Sequence, residues 1–288
     1  MSVLYLALSI LASTLINLIF RWFKTYKVDK LQAIVINYFV CFLLGFLFSE
    51  NRNLIQNMES EWFRYCVLLG FLFVAIFLAM AYTTDKISIS VNAVSSKMAV
   101  VIPVSFAYLF AKEDVNGWFI VGLVLSLISI FLISVKSHIN IPKKYYALPI
   151  IVFLGSGIID TSLKILETAY SQNVQIATLS YSIFLGATLA GTSIYTILNK
   201  ANFSKINWHN IKAGILLGVP NYFSIWLLLA AIQAFSLKSA LVFGINNVGV
   251  VLLSTLFSLV IFKEHLSIKN KVGLLLAAIS IFIIAYVG

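Results

Sequence analysis

Seven stretches of this chain run for 18 or more residues without a charged side chain: 3–20, 31–48, 65–84, 115–135, 173–199, 213–237 and 239–262. A transmembrane helix needs about twenty such residues, because each residue adds about 1.5 Å toward a hydrocarbon core about 30 Å thick. Three further apolar stretches make a series of ten: 87–111, interrupted by Lys97; 146–166, which carries Asp160 and Lys164; and the shorter 272–288. Backbone in lipid must satisfy its own hydrogen bonds, which leaves helices or a closed barrel. Runs of this length without apolar–polar alternation exclude the barrel. With 61% hydrophobic and 10% charged residues and a mean hydropathy of +1.01, the chain lies far from a soluble domain. The expected fold class is an all-α integral membrane protein with ten transmembrane helices.

The remainder leaves no room for a soluble domain, since the longest polar connections are 49–64 and 136–145. The first apolar run lacks a basic leader and a small-residue cleavage site, so it reads as a helix and not a removed signal. Cys41 and Cys66 fall within or beside apolar runs and carry no disulfide or metal pattern. His138, His209 and His265 lie in connections without metal-ligand spacing, and Gly155 and Gly157 sit inside an apolar run, not in a phosphate loop. Neither an enzyme activity nor a cofactor is expected, and no nucleotide-binding segment points to ATP as a driving force.

The formal charge of +10 reads as topology, not as a nucleic-acid surface. With ten spans, 14 of the 20 basic residues fall in alternate connections, among them Arg21, Lys24, Lys27, Lys30, Lys143, Lys144 and Lys205. Five fall on the opposite side (Arg52, Arg64, Lys112, Lys164, Lys238), and Lys97 stays inside. The positive-inside rule then puts both termini outside the cytoplasm.

The two halves match. At an offset of 151, Lys112-Glu113 meets Lys263-Glu264, Gly122 meets Gly273, and 129–131 meets 280–282. At an offset of 143, Ser13, Thr25, Gln32 and Tyr38 meet Ser156, Thr168, Gln175 and Tyr181, while Asn17 and Arg21 meet Asp160 and Lys164. Polar residues matching in register are hard to obtain by chance in helices rich in Leu, Ile and Phe. The repeat unit is five helices, residues 1–136 and 145–288. Five is odd, so the second unit enters the membrane inverted, an arrangement that places a transporter's substrate site near the midplane between the repeats.

The end of each repeat, 110–113 followed by Gly122 and 262–264 followed by Gly273, resembles the drug/metabolite transporter superfamily, in its ten-helix EamA-like branch. The resemblance covers the whole chain through helix number, length and duplication. It implies a multi-pass transporter, in the bacterial cytoplasmic membrane, with both termini in the cytoplasm, which is the reverse of the charge count. Two features depart from the family pattern: Val100 and Val251 stand where a proline is frequent, and Lys97 is not a general family feature.

Lys97 is the sharpest site candidate. A cation near the bilayer centre costs roughly 2.5–3.5 kcal/mol on insertion scales, which calls for a wet cavity, a counter-ion or a ligand. Asn92 and Ser96 share its run, and Ser95 and Ser96 correspond to Asn246 and Asn247 at the 151 offset. Asp160 lies four residues before Lys164, spaced to pair on one helix face, and is the one carboxylate expected deep in a span; it is read as the counter-ion of Lys97 or Lys164, or as a proton-coupling group. Asn17 is its counterpart. Tyr38 and Tyr181 are expected at the entrance, and Tyr222 and Trp226 follow the helix-bending Pro220. The expectation is a secondary carrier that moves a small anionic or zwitterionic metabolite, such as an amino acid or organic acid, by alternating access. Its partners are the bilayer and a coupling proton or counter-substrate, with no nucleic acid. A flippase for a lipid-linked group or a non-transporting scaffold is the alternative.

Overall fold

The computed structural model describes residues 2–87, 89–110, 116–134, 145–198, 207–235, 238–262 and 267–287. Among the described residues the chain is all-helical: α1 (Ser2–Thr25), α2 (Lys30–Phe48), α3 (Leu54–Met58), α4 (Glu61–Lys86), α5 (Ile89–Met98), α6 (Val101–Leu109), α7 (Gly117–Ser134), α8 (Ala147–Tyr170), α9 (Ile176–Leu198), α10 (Trp208–Ala234), α11 (Ser239–Phe262) and α12 (Ile268–Val287). Eight of these are long and apolar enough to cross a membrane, which makes the chain a multi-pass membrane protein. The other two of the ten apolar runs appear as shorter apolar helices, Val94–Leu109 and Gly117–Ile133. The Lys-Glu pairs at 112–113 and 263–264 lie outside the described residues.

Helix starts follow from capping. The Asp29 side chain accepts from the backbone N–H of Leu31 and Gln32 at 3.0 and 3.3 Å. Asn116 accepts from Phe119 N at 2.8 Å and Asn207 from His209 N at 2.9 Å. Ser267 and Asn270 cap each other's backbone N–H groups at 3.1 and 3.2 Å. Each cap satisfies donors that a helix start leaves open, worth typically about 1 kcal/mol.

Inter-helix hydrogen bonds order the two ends of the bundle. At one end, the start of α2 meets the end of α9 and the start of α10: Gln32 Nε2 donates to Tyr195 Oη at 3.4 Å, and the Gln32 side-chain oxygen accepts from Asn210 Nδ2. At the other, the end of α2 meets the start of α9 through Ser49 and Thr178, whose hydroxyls are 2.6 Å apart, and through Glu50 N donating to Gln175 Oε1 at 3.0 Å. Helices α2 and α9 are therefore antiparallel. The start of α12 meets the end of α7, where Asn270 Nδ2 donates to Leu132 O and Ile133 O at 3.0 and 2.8 Å.

The packing puts α2 between α9 and α10, α4 on α9 and α8, α1 on α10 and α11, α8 on α5 and α6 as well as α4, and α7 along α12. Lipid is as apolar as a side chain, so small residues and close backbone approach, not hydrophobic burial, must select these seams. A Cβ built on Gly214 would lie 2.6 Å from Ile36 Cβ, and one on Gly218 would lie 2.7 Å from Val40 Cβ. Those two glycines form the close-packing seam that their spacing predicts. Gly70 and Gly186 do the same where α4 crosses α9, against Ile183 O and Val67 O. Large apolar groups on α7 and α12, such as Phe131, Leu275 and Phe282, turn outward, as a lipid-facing surface requires.

Candidate functional site

The run that carries Lys97 is not one helix. It breaks at Ala99–Val100, between α5 and α6. Pro103 has no N–H to give Ala99 O, the carbonyl four residues before it, and its ring crowds that carbonyl. Ala99 O instead accepts from Ile102 N at 2.9 Å, and Lys97 O accepts from Val100 N at 3.4 Å, so the chain passes the break in tight three-residue turns. Lys97 thus stands in the last turn of α5, beside loosened backbone, and is half-buried.

Across the α5–α8 contact, Lys97 interacts electrostatically with Asp160, also half-buried. The sequence leaves Lys97 and Lys164 as alternative partners of Asp160; the structure links Asp160 to Lys97, and Lys164 to Glu167, three residues further on. Asp160 is not the only deep carboxylate. Glu167 is 0% exposed, and neither of its carboxylate oxygens has a hydrogen-bond partner among the described residues. Ser171 lies beside this carboxylate. Charge counting misses Glu167 because it ends the apolar run at Leu166, whereas α8 continues to Tyr170. The signal that finds it is spacing: 160, 164 and 167 lie on one helix face.

The polar residues of α11 belong to a second group. Ser9 Oγ of α1 lies 3.0 Å from Ser224 O of α10 and 3.3 Å from Asn246 Oδ1, tying three helices together. Asn247 Nδ2 donates to Phe243 O one turn back at 3.1 Å. Asn246 and Asn247 are both buried. Nearer the end of α1, Asn17 Nδ2 donates to Ser254 Oγ at 3.3 Å. Ser96 is buried on α5, and on the same helix Asn92 Oδ1 is buried without a partner among the described residues.

Tyr38 and Tyr181 are both fully buried and act as inter-helix ties, not as the lining of an entrance. Tyr38 Oη donates to Phe73 O at 3.4 Å; Tyr181 Oη accepts from Asn57 Nδ2 at 2.6 Å and lies 3.3 Å from Asn51 O. Tyr222 and Trp226 instead line a partly open cavity of about 450 Å³. Phe48 and Phe223 complete its aromatic wall, with the Phe48 and Tyr222 rings stacked at 6.1 Å, and Gln175, Gln233 and Ser171 supply polar edges. It lies toward the end of the bundle where α8 finishes and α9 begins. The hydroxyl of Tyr222 is buried without a hydrogen-bond partner among the described residues.

No protein-family model matches the chain. A Haemophilus influenzae protein described as uncharacterized is 29% identical over 291 residues, which cover 98% of this chain and 97% of that protein. A solved structure titled only as the crystal structure of a protein superposes with a TM-score of 0.76 at 13% identity, covering 98% of this chain and 95% of its own. The chain therefore shares its whole fold with a protein of known structure.

Proposed function

We propose that this chain is a secondary active transporter that moves a small organic metabolite by alternating access between two inverted five-helix halves, in a bacterial cytoplasmic membrane. On this reading the α5–α6 pair counts as one broken span and α7 as a short one, so that ten spans result. The observation that carries it is a contact made twice. A Cβ on Gly122 would meet Ile284 Cγ1 at 2.8 Å and Ile283 Cγ2 at 3.2 Å; a Cβ on Gly273 would meet Ile133 Cγ1 at 2.8 Å and Leu132 Cβ at 3.0 Å. At the 151 offset these are the same contact with the halves exchanged, which is the mark of a two-fold interface. Further exchanged pairs support it. Gly70 of α4 meets Ile183 of α9, and Gly218 of α10 meets Val40 of α2, with Val40 and Ile183 matched at offset 143. Helix neighbours exchange too: α1 with α10 answers α8 with α4, and α1 with α11 answers α8 with α5 and α6.

The chemistry breaks that symmetry. At the 151 offset Lys97 and Pro103 meet Val248 and Ser254, and at 143 Asp160 meets Asn17. Among the described residues, one of the two equivalent seams holds a broken helix and a charge pair and the other does not. Discontinuous helices near the midplane are where secondary transporters bind substrate and coupling ions. Lys97 is the group that receives an anionic part of the substrate, with Asp160 as its counter-ion when the site is empty or as the coupling-proton acceptor. The matching experiment is counterflow in proteoliposomes, preceded by a thermal-shift screen of amino acids, organic acids and amines on purified protein. A stabilising ligand should exchange saturably, and Lys97→Met should abolish exchange in a folded protein. If no ligand in any class stabilises the protein or exchanges, the transport reading is wrong.

A further inference from the structure

We propose that α2 and α9 form a static spine, closed at both ends of the bundle at once, around which the rest of the molecule rearranges. The inference rests on the transport reading above and deepens it. Each sequence half contributes one helix to the spine, so the halves do not move against each other as whole rigid bodies.

Three observations carry it. The first is the extent of the contact. Along the antiparallel pair, Gln32 meets Tyr195, Val35 meets Gly191, Gly45 meets Tyr181 and Ser49 meets Thr178, in one unbroken register. From Gln32 to Ser49 is about 26 Å of helix, nearly the depth of a hydrocarbon core. The second is how tightly it is held. A Cβ on Gly45 would lie 2.8 Å from Tyr181 Cβ and 3.1 Å from Tyr181 Cα, and one on Gly191 would lie 3.1 Å from Val35 Cγ2. Small residues at such a seam bring two helices into close packing. Polar ties then fasten each end: Gln32 to Tyr195 at one, and at the other Ser49 to Thr178 with Glu50 N donating to Gln175. Alternating access opens one end while it closes the other. A helix pair tied at both ends in a single structure belongs to neither gate.

The third observation separates opening from this contact directly. The partly open cavity of about 450 Å³ lies at the end of the Ser49–Thr178 tie, and Phe48 and Gln175 line it. The bundle is open there while the tie beside it is shut. The register also treats both ends alike. At the 143 offset Val35 and Gly191 become Thr178 and Phe48, the neighbour of Ser49, so a spine built on this contact serves either open state equally.

Disulfides across the spine test the proposal in the full chain. The Ser49 and Thr178 hydroxyls are 2.6 Å apart, and a Cβ on Gly191 would lie 3.9 Å from Val35 Cβ, within the spacing a disulfide spans. Cys41 and Cys66 are 0% exposed and stay out of the exchange. The variant with Ser49→Cys, Thr178→Cys, Val35→Cys and Gly191→Cys is expected to close both disulfides in the same molecule, by mass spectrometry after mild oxidation. Disulfides that form singly but exclude one another overturn the proposal. Should Gly191→Cys fail to elute as a monodisperse species, Gln32→Cys with Tyr195→Cys, bridged by a short bis-methanethiosulfonate, holds the same end. Ser96→Cys, beside Lys97, then reports access to the midplane. The impermeant probe 2-sulfonatoethyl methanethiosulfonate is added to spheroplasts and, separately, to inverted membrane vesicles. With the spine cross-linked, labelling from each side should stay within about threefold of the rate without cross-links. A loss of tenfold or more on either side overturns the spine and leaves transport standing. Labelling from one side only in the protein without cross-links counts against the transport reading, while joint closure of the two disulfides still supports the spine.

Discussion

Lys97 of α5 and Asp160 of α8 interact electrostatically across a helix contact, close to the point where Pro103 has broken the apolar run that carries the lysine. Each is half-buried, and each offsets a charge that apolar surroundings alone would not tolerate. The same pairing makes an anion-binding role for Lys97 a matter of exchange, since a substrate carboxylate must take the place of Asp160.

A double-mutant cycle tests that pairing. Lys97→Met and Asp160→Asn each strand one charge, and removing one member of a buried pair costs roughly 3–5 kcal/mol. Both single variants should unfold at lower temperature in detergent, and the double variant should regain at least half of the loss. Additive losses in the double variant would show that the two groups do not act on one another.

Pro103→Ala should restore an N–H that can reach Ala99 O and let α5 and α6 join. In an uninterrupted helix alanine is favoured over proline by about 3 kcal/mol. The variant is expected to fold, to protect the amide of residue 103 and its neighbours more strongly against hydrogen exchange, and to exchange substrate several-fold more slowly. Unchanged exchange in a protein whose amides have become protected would separate the break from function.

Much of this arrangement is legible in the sequence, and what is not has a physical cause. The apolar runs locate the helices because lipid demands long uncharged segments. Gly122 and Gly273, found by matching the halves, turn out to make one contact twice. Pro103 marks the split between α5 and α6, but hydropathy is blind to it because Ala99 and Val100 are as apolar as their neighbours. Pairing across helices is the part that spacing leaves undecided. Asp160 reads as the counter-ion of Lys164 or of Lys97, and the structure links it to Lys97 of α5. Glu167 escapes for a related reason: a rule that ends a span at its charges places a buried carboxylate outside it. Tyr38 and Tyr181 illustrate the opposite error, since a matched pair of phenols fits tertiary ties as readily as a ligand site.

The exchanged contact has its own test. Gly122→Ala places a methyl 2.8 Å from Ile284 Cγ1, a side-chain atom that can rotate away. Gly273→Ala also meets Ile133 N and Leu132 Cβ at 3.0 Å, and backbone cannot rotate away. Both should destabilise by about 1–3 kcal/mol, as overpacking does, with Gly273→Ala the more severe. Ile284→Ala should relieve the first, and Ile133→Ala only part of the second. A loss in one helix with none in the other would mean that α7 and α12 do not meet across a two-fold axis.

Orientation follows from which residues share an end of the bundle. The hydrogen bonds of Gln32 put the starts of α2 and α10 together, and the contact between Asn17 and Ser254 sets the later halves of α1 and α11 side by side. Lys27, Lys30 and Lys212 therefore lie at one end, and alternate crossing adds Lys86, Lys269 and Lys271 to it. Arg52, Arg64 and Lys238 lie at the other. The positive-inside rule makes the lysine-rich end cytoplasmic and both chain termini external, whereas the resemblance to ten-helix metabolite transporters implies the reverse. Single cysteines decide between them. Cys41 and Cys66 are 0% exposed, so an impermeant maleimide added to intact cells should report only an introduced thiol. Arg52→Cys and Lys238→Cys should label from outside, while Lys27→Cys and Lys212→Cys should label only after lysis. The opposite pattern would reverse the orientation and leave the fold, the charge pair and the cavity as described.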